Sequence, residues 1–135
     1  MKPACQRSRR QRLQGLLATL LLACATAQAE WVRIAHNEQS VFYIDPTLSK
    51  RVGSHVMVWM LRDHVGQPLG PFRSSKDQLE VNCAARQVRR IYASDHGQAM
   101  GQGPVLHFEH GPMSWNRVTP NTILSRMVNI ACLAS

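Results

Sequence analysis

Short runs of strand-forming residues alternate with polar breaks along most of the chain, and the period changes once, near the end. "WVRIA" (31–35) and "SVFYID" (40–45) each predict a strand, with the polar turn "HNEQ" (36–39) between them. Pro46 has no N–H to give to a ladder, so it predicts the end of the second strand. A connector is expected over 46–54, where Gly53 can take a positive φ. In "HVMVWMLRD" (55–63), alternation puts Val56, Val58, Met60 and Arg62 on one face. His55, Met57, Trp59, Leu61 and Asp63 take the other face. Both faces are mostly apolar through the middle, as in a central strand covered in part on each side.

Two Gly and two Pro within 64–71 predict a loop. Segment 72–83 reads as a strand with an irregularity near 75–77, ending on the alternation Leu79, Val81, Cys83. Segment 85–95 pairs next, with Val88, Arg90 and Tyr92 on one side and Gln87, Arg89 and Ile91 on the other. A Gly-rich loop (96–104) leads to a sixth strand, "VLHFEH" (105–110). Beyond it, Ile123, Met127 and Ile130, with Leu124, Val128 and Ala131, recur at spacings of three and four. That is an amphipathic helix, with Thr119 predicted as N-cap and Pro120 as its first helical residue. Six strands in short-loop succession imply a largely antiparallel sheet, because parallel pairs need long crossovers. The helix must lay its apolar stripe on that sheet. The expected class is α+β: a single six-stranded, largely antiparallel sheet with a C-terminal helix packed on it.

The first 29 residues have a different character. Lys2, Arg7, Arg9, Arg10 and Arg12 precede the apolar run "GLLATLLLA", and "AQA" follows at 27–29. This is the three-part pattern of an export signal, too short in its apolar part to span a bilayer. We expect a signal peptide over 1–29, cleavage after Ala29 and one domain over 30–135. "LLAC" (21–24) offers an alternative, lipoprotein processing at Cys24, which would make the product membrane-anchored rather than soluble.

Charge and cysteine content look different after that cut. Of 16 Lys and Arg, five lie in the signal, while all eight Asp and Glu follow it. The formal charge of +8 therefore falls to +3 in the remaining 106 residues, which removes the case for nucleic-acid binding. Cys5 and Cys24 leave with the signal, and Cys83 and Cys132 remain. Two cysteines in an oxidising compartment allow one connectivity, whereas a metal pair would want a partner spaced as in C-x-x-C. A disulfide closing this loop would contribute about 4 kcal/mol at most.

The order of motifs carries a resemblance. "WVRIA", "VFYIDP", "VMVWMLRD", a Ser-containing strand ending in Cys83, "RRIYAS", "MGQG" (100–103) and "WNRVTP" before a helix ending in Cys132 succeed one another as in the surface-adhesin protein E family. The chain resembles that family over about residues 31–132. The resemblance implies a six-stranded antiparallel sheet, a C-terminal helix and a disulfide joining them. It also implies adhesion to host extracellular-matrix or serum proteins, with no enzymatic activity. It brings no binding motif that can be laid on particular residues here.

Candidate chemistry is sparse. His107 and His110 form H-x-x-H around Glu109, but on a strand they face opposite sides. His36, His55, His64 and His96 sit in or beside turns, where exposed polar roles are expected; a weak haem or metal site is the alternative. Asp45, Asp63 and Asp95 lie at strand ends, where aspartate serves turns. Ser74 and Ser75 have no flanking elbow glycines and no triad order. No catalytic residue, metal site or cofactor is therefore expected. Partner contact is assigned to Lys50, Arg51, Arg86, Arg89, Arg90 and Trp115, provided the basic residues converge.

These features describe a non-catalytic exported binding module of a Gram-negative bacterium, in the periplasm or on the outer surface. Its partner would be a host protein or, alternatively, a component of the bacterial envelope. Whether it forms a homodimer is left open.

Overall fold

The computed structural model describes residues 29–66 and 70–134. All but the last residue of the expected export signal, Cys24 included, lies outside the described residues. Six strands follow one another as an antiparallel meander: β1 (Val32–His36), β2 (Ser40–Val52), β3 (His55–His64), β4 (Ser74–Asn82), β5 (Gln87–His96) and β6 (Val105–His110). A two-residue strand, β7 (Asn116–Arg117), pairs with the opposite end of β5. Helix α1 (Ile123–Ala134) crosses one face.

The helix buries Met127, Val128 and Ala131 against Ile34, Ile44, Val56, Val58, Leu79, Val81 and Val88. These sheet positions share one face because the register aligns Val56 with Val81 and Val88, and Val58 with Leu79. The expected alternation in β3 is the one observed. A disulfide joins Cys83, just beyond β4, to Cys132 in the last turn of α1. The helix is thus covalently fixed to the sheet whose core it completes.

Three local expectations are corrected. Pro46 does not end β2; the strand continues to Val52 through a register break between Asp45 and Lys50. Asp45 organises that break, its Oδ1 accepting from the N–H groups of Thr47 and Leu48 at 2.9 and 3.3 Å. A bulge is one of the few places where a strand tolerates proline. The helix begins three residues later than expected, because Asn121 takes a positive φ of 59°. Thr122 is the cap, its Oγ1 accepting from the N–H of Ser125 at 3.0 Å.

The third correction concerns the irregularity expected near 75–77. Pairing of β4 with β5 is continuous there and shifts at Gln78/Leu79, where Ile91 is the extra residue. Tyr92 consequently lies on the same face as Arg89, opposite Arg90.

Candidate functional site

Residues of the second sheet face alternate with the core positions, and α1 lies on the opposite side of the sheet. The register sets two rows across it: Lys50, Met57, Glu80, Arg89, and then Asp45, Trp59, Gln78, Tyr92, His110. Further along, the loop after β5 packs against this face. The backbone N–H of Met100 donates to Asp63 at 2.8 Å, and that of Gly101 donates to Ser74 Oγ at 2.8 Å. Gly101 has φ 68°, and a Cβ there would meet the Lys76 side chain at 2.9 Å. The "MGQG" stretch is thereby accounted for as a clamp on the sheet.

What stays uncovered is a strip of rings. Trp59 meets Tyr92 edge-on at 6.1 Å between centroids, and Tyr92 meets His110 at 5.1 Å. His110 in turn contacts Phe108 at 5.5 Å, and Phe108 is 58% exposed. Three exposed apolar residues, Val105, Leu106 and Phe108, belong to β6, the last strand of the meander.

Trp115 reaches the same face from the segment after β6. The N–H of Gly111 donates to the Ile91 carbonyl at 2.7 Å, and that of Met113 donates to the Arg90 carbonyl at 2.8 Å. Glycine is required at 111, since a Cβ would stand 2.5 Å from the Arg90 carbonyl oxygen. The bulge at Ile91 therefore turns a carbonyl toward the returning chain, which carries Trp115 across. There the Arg89 guanidinium lies 4.5 Å from the indole centroid, and the His55 ring contacts the indole edge at 5.2 Å. Glu80 fixes both side chains' positions, accepting from Arg89 Nε at 2.6 Å and lying 2.7 Å from His55 Nδ1. Burial alone would raise the Glu80 carboxyl, but its hydrogen bonds with Arg89 and His55 outweigh this and hold it below the usual range. The result is a preorganised stack of a cation on an indole.

A second polar group lies on the helix side, beyond the reach of α1. Ser40 Oγ lies 3.1 Å from His64 Nδ1, and His64 Nε2 lies 3.2 Å from Ser75 Oγ. Ser75 donates to Asp95 at 2.6 Å, and Asp95 also faces His107 at 3.3 Å. Because the Ser75 proton is spent on Asp95, His64 must donate through Nε2, and neutral Nδ1 can accept from Ser40. Burial and the Arg62 charge lower the His64 pKa below its ordinary value, in keeping with that neutral form. The arrangement joins β2 to β6, with Ser40 and Ser75 both buried within it.

The six residues assigned to partner contact do not form one patch. Arg89 and Trp115 come together, and Lys50 shares their row with Met57 and Glu80 between. Arg51 aligns with Val56 on the core side of β2. Arg86 bonds to Asn129 at 2.7 Å and so touches the helix. Arg90 pairs with Glu109 at 2.8 Å and faces Asp77 at 3.7 Å, on the helix side. His107 and His110 point to opposite faces, as alternation requires. Among the described residues, no group of three or more His, Cys, Asp or Glu is placed to hold a metal ion.

The sequence reading missed Tyr92, Phe108 and His110 as members of a common surface. Alternation already set Trp59 opposite Val56 and Val58, which was the available signal; the bulge at Ile91 concealed the rest.

The family described as surface-adhesin protein E matches residues 31–133. No curated protein matches at a significant level. Among solved structures, Haemophilus influenzae protein E is similar at 19% identity with a TM-score of 0.58, over 78% of this chain and 86% of that one. A second crystal form gives 18% identity and the same TM-score, over 78% and 89%. Protein E from non-typeable Haemophilus influenzae gives 17% and 0.53, over 81% and 79%. At these identities the likeness shows a shared fold.

Proposed function

Because the chain belongs to the surface-adhesin protein E family, we propose that it is a non-catalytic module that adheres to a host extracellular-matrix or serum protein through its helix-free face. Membership in an adhesin family implies export and a place at the cell surface. The outer leaflet, rather than the periplasm, is where such a module meets its partner.

One observation carries the choice of surface. The Arg89–Trp115 stack is held by Glu80 and His55 beside an uncovered strip of Trp59, Tyr92, His110 and Phe108. Trp, Tyr and Arg are the residues that most often dominate binding energy at protein interfaces. On the helix side, α1 and its disulfide cover one half of the sheet, and charged and polar side chains occupy the other.

The test is capture of the chain on immobilised host matrix and serum proteins, compared with Trp115→Ala and Arg89→Ala. Capture weakened at least about tenfold by either change, with unchanged thermal unfolding, is the expected result. Capture that survives both changes moves the contact surface elsewhere, and no capture by any host protein refutes adhesion itself.

A further inference from the structure

We infer that the partner segment seated on the helix-free face is an extended, proline-rich stretch lying across the strands from Trp59 to His110. The inference rests on the adhesin reading above and adds the chemical class of the ligand.

The first ground is what the strip offers. Trp59, Gln78, Tyr92 and His110 occupy one cross-strand row on β3, β4, β5 and β6. Three strand spacings make that row about 14 Å long. Two of its polar groups, the Trp59 indole N–H and the Tyr92 hydroxyl, make no hydrogen bond among the described residues, nor does the Gln78 amide. All three are partly exposed. The row is thus a set of partly exposed rings, edge-on or tilted to one another, with unspent donors beside them.

The second ground is which ligand needs that combination. Strand addition uses backbone groups at a sheet edge, and here the contacts come from the face. An amphipathic helix wants a deep apolar groove, whereas this surface is one side-chain layer. A phosphorylated or acidic motif wants uncommitted arginines, and Arg89 already gives its Nε to Glu80 and its face to Trp115. A polyproline-II segment has no internal hydrogen bonds, so its carbonyls are free to accept. Its pyrrolidine rings pack on aromatic faces, and its stiffness limits the entropy lost on a shallow surface. At about 3.1 Å per residue, about five residues span the row.

The experiment is a calorimetric titration of the full chain with a blocked oligoproline of about ten residues, against a Gly–Ser peptide of equal length. Saturable binding of oligoproline alone is expected. Trp59→Phe and Tyr92→Phe each keep a ring and remove one donor, so each is expected to weaken binding about three- to tenfold. Binding that ignores both changes overturns the assigned location. No saturable binding, in a chain that host proteins still capture through Trp115 and Arg89, overturns the proline-rich ligand and leaves the adhesin reading intact. Loss of both host capture and oligoproline binding defeats the two together.

Discussion

The two halves of the helix-side face are built by the same central strands, yet they are stabilised by different physics. In one half, Val56, Val58, Leu79, Val81 and Val88 lie under Met127 and Val128, and the disulfide fixes the helix over them. In the other, Arg62, Ser75, Asp77, Asp95 and His64 occupy the equivalent alternating positions with no helix above. Backbone pairing is continuous from one half to the other along β3 and β4. The strand register therefore does not require an apolar face. Apolar side chains cover the face in one half, and in the other most of the polar groups bond to one another.

The comparison is broken most severely by removing the staple. Replacing both Cys83 and Cys132 with Ser should cost up to about 4 kcal/mol, read from the denaturant midpoint at unchanged slope. An unchanged midpoint would mean that packing alone holds the helix. Met127→Ala comes next. Met127 is fully buried, and truncation there should cost about 3 kcal/mol in lost contacts and residual cavity. A loss below about 1 kcal/mol would show that the sheet and helix close around the gap.

Much of the apolar half was legible in advance, because it follows from periodicity. The switch from period two to period three or four announced the helix, and the alternation in 55–63 assigned Val56 and Val58 to the covered face. Cys83 and Cys132 are the two cysteines beyond the expected export signal, so their pairing followed from counting. The polar half was not legible. Ser40, His64, Ser75, Asp95 and His107 come from five strands, and only the register between distant segments brings them into line. Pro46 misled for a related reason. A proline rules out a ladder bond at one position, but the Asp45 carboxylate supports a bulge that passes it. Thr119 misled because Asn121 adopts a left-handed turn, so the true cap is Thr122. The face of Tyr92 depended on a single extra residue at Ile91, which reverses everything beyond it.

Within the polar half, Ser75→Ala should cost about 2 kcal/mol. The hydroxyl is buried, gives its proton to Asp95 and faces His64, so its removal leaves both without that partner. The measurement is the denaturant midpoint at neutral pH, beside a solvent-face control such as Lys50→Ala, where a change within about 0.5 kcal/mol is expected. Equal effects of the two changes would show that the chain of hydrogen bonds across β2–β6 contributes nothing.

A small expected change at neutral pH, that of Asp77→Asn, draws the sharpest line between the halves. Burial raises the Asp77 carboxyl above its ordinary value, against the opposing charges of Arg62 and Arg90. The folded state therefore holds this proton more tightly than the unfolded chain does. Its contribution is fully present below the unfolded value of 3.8 and is lost as pH rises through the folded one. Asn carries no charge at any pH, so at pH 7 the substitution should alter stability by no more than about 1 kcal/mol. On acidification, the natural chain should gain on the variant, and the gap should widen until pH falls below 3.8. His64 and His96 act with the opposite sign, since burial lowers both below 6.5. Their contribution is complete above 6.5 and is lost as pH falls through their folded values, but both proteins carry them, so they cancel in the difference. Paired denaturation curves from pH 7 to 4 read that difference directly. If the natural chain loses ground to Asp77→Asn on acidification, the folded state favours the charged carboxylate, and the polar half is held by its ion pairs as firmly as the other half is by its core.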